Sequence, residues 1–194
     1  MIGIINYNSG NIKSVANALS RIGVKSMYVD SPAQMNSCTK LILPGVGSFG
    51  AMINFIDDIE LRNPLIEWIN EGNPILGICL GYQALFESSE ENPNAKGLGI
   101  LRGKVVKFTD GKVPQIGWNK VCPPLGSSII PKGYYYFVNS YYPIPIDEMP
   151  MAKTSYYTDF ASAIEWQNIT ATQFHPEKSG KLGLKLLRRW INAN

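Results

Sequence analysis

The sequence predicts an α/β fold: a central, mostly parallel sheet with helices on both faces, and added antiparallel strands in the second half. Three observations carry that expectation. Short apolar runs at 2–6, 41–43 and 74–76 suit buried strands. Between them, apolar residues recur at helical spacing. After residue 100 the pattern changes to a series of strand-like runs with turn residues between them.

Taken in order, residues 2–6 form the first strand. Asn8-Ser9-Gly10-Asn11 is turn chemistry, with Asn11 placed to cap the helix that follows. Ile12, Val15, Ala16, Leu19 and Ile22 make the apolar stripe of that helix, and Gly23 suits its stop. Residues 25–29 alternate as a second strand. The third, 41–43, ends abruptly in Pro44-Gly45-Val46-Gly47. Helical patterns at 51–56 and 64–70 precede the strand that runs into Cys79. This succession of strands and helices is the rhythm of a parallel sheet covered on both faces. Strand-like runs follow at 103–108, 113–121, 134–142, 152–157 and 161–166. Residues 169–174 lead into His175, and 182–191 form a closing amphipathic helix. The stretch 123–133, rich in Pro and Gly, reads as a surface loop. With no internal repeat or linker, residues 1–194 are expected to be one domain.

Composition narrows the function. A chain of 194 residues can bury a sizeable core. No apolar run approaches the roughly 20 residues that span a bilayer, and no basic leader or small-residue cleavage site opens the chain. Three widely spaced cysteines fit neither a disulfide framework nor a metal knuckle. A reducing, cytoplasmic setting is therefore expected, with no membrane, metal or cofactor. The net charge is +3. Basic residues are scattered except for Lys185, Arg188 and Arg189, which suit the outer face of the last helix, so a nucleic-acid surface is not expected.

The chemistry centres on Gly77-Ile78-Cys79-Leu80-Gly81-Tyr82-Gln83. A strand that enters a helix here must turn sharply, and Gly77 and Gly81 supply the room. The turn sets a thiol at the carboxyl end of a strand and the positive end of a helix, where charge on sulfur is favoured. The chain has one histidine, His175, within Phe174-His175-Pro176-Glu177. Acyl transfer from an amide needs a nucleophile, a base, a group to orient that base, and oxyanion donors. Cys79, His175 and Glu177 suit the first three roles. Pro176 favours an extended His175, and two residues on, Glu177 points to the same side. The Leu80 N–H and the turn containing Val46 are the expected oxyanion donors. Cys38 and Cys122 read as structural, and Glu87, Glu90 and Glu91 as a solvated helix end. Tyr134, Tyr135 and Tyr141 read as sheet packing, with Tyr136 the exception among the tyrosines.

Gly-Ile-Cys-Leu-Gly-x-Gln followed by Phe-His-Pro-Glu resembles the class I, triad-type glutamine amidotransferases. Further motifs look like the glutaminase subunits of imidazole glycerol phosphate synthases: Tyr7-Asn8-Ser9-Gly10-Asn11, Leu43-Pro44-Gly45-Val46-Gly47-Ser48-Phe49, Pro114-Gln115-Ile116-Gly117-Trp118-Asn119, Tyr136-Phe137-Val138-Asn139-Ser140-Tyr141 and Gln173-Phe174-His175-Pro176-Glu177-Lys178. The resemblance runs nearly end to end. It implies a three-layer, flavodoxin-like fold and hydrolysis of L-glutamine through a Cys79 thioester. It also implies a heterodimer in which ammonia passes to a cyclase subunit of histidine biosynthesis, yielding imidazole glycerol phosphate and an aminoimidazole carboxamide nucleotide. By matching positions, Gln83 and Glu91 would hold the glutamine head group, with backbone from Gly45, Val46, Ser140 and Tyr141. Asn11, Trp118, Tyr136 and Lys178 would face the cyclase, and the turn at Val46 would reorient to complete the oxyanion hole.

The sequence departs from the family twice, with Gln115 and Asn139 where His is common. Neither belongs to the triad, but both lie near the implied partner face. They leave open a paralogue that feeds ammonia to another synthase, such as one making an amidino sugar. A cysteine peptidase on a similar sheet and a non-catalytic scaffold are the remaining readings. Gln83 and the Pro-Gly-Val-Gly turn argue against the first, and the intact Cys79, His175 and Glu177 argue against the second.

Overall fold

Alternation along the strands decides the layering. In the computed structural model, which describes residues 1–7, 11–124 and 126–193, the core strands are β1 (Ile2–Ile5), β2 (Ser26–Val29), β3 (Lys40–Leu43), β4 (Ile75–Ile78) and β12 (Ile169–Thr172). They lie parallel in the order β12-β4-β3-β1-β2. Successive side chains point to opposite faces. Ile5, Leu41, Leu43 and Ile75 therefore meet α3 (Phe49–Asp58) and α4 (Arg62–Asn70). Ile2, Ile4, Ile42, Leu76 and Ile78 meet α1 (Ile12–Arg21) and α6 (Gly180–Asn192) on the other face. The result is three layers with a core on each side of the sheet.

At the β12 edge, β11 (Thr158–Trp166) and β10 (Met151–Tyr156) extend the sheet antiparallel. Two small sheets complete the second half. One joins β5 (Ser88–Ser89), β6 (Gly103–Lys107) and β9 (Tyr141–Pro145), and the other pairs β7 (Gln115–Val121) with β8 (Gly133–Asn139). The run at 134–142 is thus two strands rather than one. Asn139 pairs with Gln115, Tyr141 pairs with Lys107, and at Ser140 the chain crosses between sheets.

Other expectations are corrected. A short helix, α2 (Pro32–Met35), interrupts the region after β2. Asn11 occupies the N-cap position of α1 but makes no side-chain cap. The loop at 123–133 is not simply a surface feature: Ile130 is buried, and the Glu165 carboxylate accepts hydrogen bonds from Ser127, Ser128 and Ile129. Burial would raise the pKa of Glu165, but those donors outweigh it and hold the carboxyl below its usual range. Glu87, Glu90 and Glu91 are not a helix end; they accept from the amides of Gly103, Lys107 and Phe49. Cys122 and Tyr134 are exposed. Among the described residues no helix is long and apolar enough to cross a membrane.

Candidate active site

The neighbouring positions of β3, β4 and β12 bring three loops to one edge of the sheet, because parallel strands all present their carboxyl ends there. Cys79 follows β4 directly. Its backbone has φ +53 and ψ −104, a conformation that costs a non-glycine residue roughly 1–3 kcal/mol. The surroundings hold it there. The Cys79 N–H donates to the Thr172 carbonyl at 2.7 Å, and the carbonyl of Cys79 starts α5 (Leu80–Ala84). A Cβ on Gly81 would lie 1.9 Å from the Leu43 carbonyl oxygen, and one on Gly45 would lie 2.3 Å from the Gly81 nitrogen. The Pro44–Gly47 turn is thereby pressed against the first turn of α5. That helix has only five residues, so its help to a sulfur anion comes from the first N–H groups, Leu80 and Gly81, which have no intrahelical acceptor.

His175 is fully buried, with an extended backbone fixed by the Tyr136 carbonyl, which its N–H reaches at 2.9 Å. The chain does not stay extended after it. Pro176–Lys178 is a 3₁₀ turn, and this turn, rather than strand alternation, brings Glu177 Oε1 to 2.7 Å from His175 Nδ1. Asn11 Nδ2 donates to the same carboxylate oxygen at 2.7 Å. A buried carboxylate needs such donors, which explains why Asn11, expected as a cap and at a partner face, is 3% exposed and turned inward. Burial by itself would lower the imidazole pKa. The negative charges of Cys79 and Glu177 outweigh it and hold His175 above its ordinary value. Burial would conversely raise Glu177, but His175 and Asn11 hold it below its ordinary value. Among the described residues His175 Nε2 has no hydrogen-bond partner, which leaves that nitrogen able to exchange a proton with a reacting group.

Cys79 and His175 line one cavity of about 300 Å³, together with Val46, Leu80, Gln83, Glu91, Ser140 and Tyr141. Gln83 Nε2 is committed to the Tyr141 carbonyl and to Gln173 Oε1, each at 3.0 Å, so its oxygen is the end left for a ligand. One oxygen of Glu91 accepts from the Phe49 N–H at the start of α3, at 2.7 Å. Gly45 lies behind the lining, against α5. The Val46 N–H does not face the thiol; it donates to the Tyr7 hydroxyl at 2.6 Å. Trp118 is 53% exposed and meets Tyr136 edge to face, and Lys178 is exposed on the 3₁₀ turn beside Glu177.

Sequence reasoning assigned no role to two side chains that touch this machinery. Gln173 Nε2 donates to Cys79 Sγ at 3.5 Å, and Tyr7 binds Val46. The signal for Gln173 was present, since a residue two before His175 on an extended segment shares its face. Nothing local marked Tyr7.

The two departures, Gln115 and Asn139, stand directly opposite each other across β7 and β8. Among the described residues, both side-chain polar atoms of Gln115 and Oδ1 of Asn139 are buried without a partner. An unpaired buried amide costs roughly 1–3 kcal/mol. Gln115→Met, similar in volume, is expected to stabilise the fold by about 1 kcal/mol in denaturant melts. An unchanged midpoint would mean that the amide is satisfied in solution.

Comparison with known proteins bears on this geometry. The family described as glutamine amidotransferase class-I matches residues 3–193. The imidazole glycerol phosphate synthase subunit HisH of Methanothermobacter thermautotrophicus is 42% identical over 195 residues, covering 98% of each chain. That of Methanocaldococcus jannaschii is 43% identical over 197 residues, again covering 98% of each. The solved structure of PurLQS from Thermotoga maritima superposes with a TM-score of 0.80 at 18% identity, over 98% of this chain and 97% of that one, a likeness of fold. A whole-length match to the family, relatives above 40% identity and the shared fold agree: this chain belongs to the class-I glutamine amidotransferases and, among them, to the HisH subunits.

Proposed function

We propose that the chain hydrolyses L-glutamine to L-glutamate and ammonia through a thioester on Cys79. The ammonia then passes to a separate cyclase subunit that forms imidazole glycerol phosphate and an aminoimidazole carboxamide nucleotide in histidine biosynthesis. The observation that carries this reading is a thiol on a strained elbow sharing a cavity with a buried imidazole whose far nitrogen is bound to a carboxylate.

In the first half-reaction the Cys79 thiol has already passed its proton to His175 Nε2, and the thiolate Sγ attacks the side-chain amide carbon. As the C–N bond breaks, His175 returns that proton to the departing nitrogen and ammonia leaves. In the second half-reaction water attacks the thioester, its proton goes to His175 and then to sulfur, and glutamate is released. Glu177 holds Nδ1 protonated, so Nε2 is the working nitrogen. The raised proton affinity of His175 suits a group that must deliver a proton to nitrogen. Leu80 N–H, and Val46 N–H once it is freed, would stabilise the oxyanion. Glu91, the Gln83 oxygen and the backbone at Ser140 and Tyr141 would bind the amino-acid end of glutamine.

Ammonia released into water at neutral pH becomes mostly ammonium, which is not nucleophilic, so a directly docked acceptor is needed. The exposed face of β7 and β8, with Trp118 and Tyr136, and the neighbouring Lys178 are the proposed docking surface. The surface connects to the chemistry, because the Tyr136 carbonyl holds the backbone of His175. Trp118→Ala is expected to weaken the complex about 30-fold, the loss typical of a hot-spot aromatic, as read by titration calorimetry. The overall reading is tested by mixing the chain with a cyclase subunit that is already active with ammonium salts. Glutamine should then support synthesis, and failure to do so would overturn the proposal.

A further inference from the structure

One side chain clamps Val46 at both of its backbone polar groups. The Tyr7 hydroxyl accepts from the Val46 N–H at 2.6 Å and donates to the Val46 carbonyl at 3.1 Å. A short bond of this kind commits the one proton that the amide has to give. Val46 and Gly47 nevertheless line the cavity that holds Cys79. On one side the turn is pinned, since Gly45 packs against Leu80 and Gly81 with no room for a Cβ. On the other it is open: Gly47 has φ +111, a glycine conformation, and nothing lies within 4 Å of where its Cβ would be. No atom crowds the side-chain position at Gly47, while the Tyr7 hydroxyl holds both backbone polar groups of Val46.

We propose that Tyr7 is a latch on the oxyanion turn: its hydroxyl holds the Val46 N–H away from the reacting carbonyl, and breaking this clamp is what completes the oxyanion hole. The inference rests on the reading of Val46 as an oxyanion donor, and it adds the residue that controls it. Tyr7 also begins the segment that leads to Asn11, whose amide holds Glu177. Tyr7 is a positioning residue, acting through Val46 without touching the reacting atoms.

Tyr7→Phe keeps the ring and removes the clamp. In the free chain its kcat for glutamine hydrolysis is expected to rise about three- to tenfold, the worth of one net hydrogen bond, with KM unchanged. The rate with saturating cyclase should stay the same, so activation by the partner shrinks by the same factor. A second readout is independent of activity: the Val46 amide should exchange its hydrogen with solvent faster in the variant, as followed by ¹⁵N-resolved NMR. Tyr7→Leu, also without a hydroxyl, is read in the same way if the Phe variant does not fold. A folded variant with unchanged or lower basal kcat, or with unaltered Val46 exchange, overturns the latch. Wild-type chain that fails to hydrolyse glutamine even with the cyclase would instead overturn the proposed function, while the exchange measurement still reports on the clamp.

Discussion

Cys79→Ala is expected to abolish glutamine hydrolysis, with a loss of at least about 10⁴-fold in kcat, because Cys79 supplies the one thiol that lines the cavity among the described residues. Synthesis driven by ammonium salts should survive in the complex, since that route bypasses the thiol. The contrast separates a catalytic role from a structural one. A merely structural cysteine would lose both activities or neither. The strain at this position supplies a second comparison. Alanine inherits the unfavourable φ of +53, whereas glycine adopts it freely. Cys79→Gly should therefore be more stable than Cys79→Ala by about 1 kcal/mol in chemical denaturation. Equal stabilities would mean that the elbow stores no strain.

Glu177→Gln should cost about 100-fold or more in kcat and move the alkaline limb of its pH profile to lower pH. His175 owes its raised proton affinity to the charges of Cys79 and Glu177 acting against burial. Removing the carboxylate charge lowers that affinity, so the imidazolium form is lost at a lower pH. The replacement keeps an oxygen for Asn11 Nδ2 and His175 Nδ1, which both face one carboxylate oxygen, and puts its NH₂ group where the other oxygen is buried without a partner among the described residues. Stability changes with the opposite polarity. Because Glu177 has a lowered pKa, its contribution to folding is present above its unfolded pKa and drains as pH falls through the folded one. Glu177→Gln should flatten that acid limb. An alkaline limb that stays in place would remove Glu177 from the mechanism.

Much of the fold could be read from local pattern. The apolar runs that became β1, β3 and β4 needed only their composition, and Gly23 marked the end of α1 through its φ of +78. The split at Ser140 could not be read, because β8 and β9 are both extended and one crossing residue leaves the alternation intact. Short α2 was missed for a related reason: four residues carry too little periodicity to register. In the site, Cys79, His175 and Glu177 stood out because scarce residue types sat in distinctive surroundings. Asn11 was misjudged because turn chemistry suggested a cap, while a buried carboxylate from the far end of the chain had the stronger claim on its amide.

Sequence alone determined which groups can do chemistry: a thiol between glycines, one imidazole, and a carboxylate two residues beyond it. These are covalent facts, and local turn preferences suffice to mark them. Tertiary structure alone decided that His175 Nδ1 meets Glu177 through a 3₁₀ turn, that Asn11 supports that carboxylate, and that Tyr7 holds Val46. The reason is physical. A buried hydrogen-bonding group must find a partner wherever the packed chain supplies one, and sheet order, not sequence separation, sets which loops come within reach.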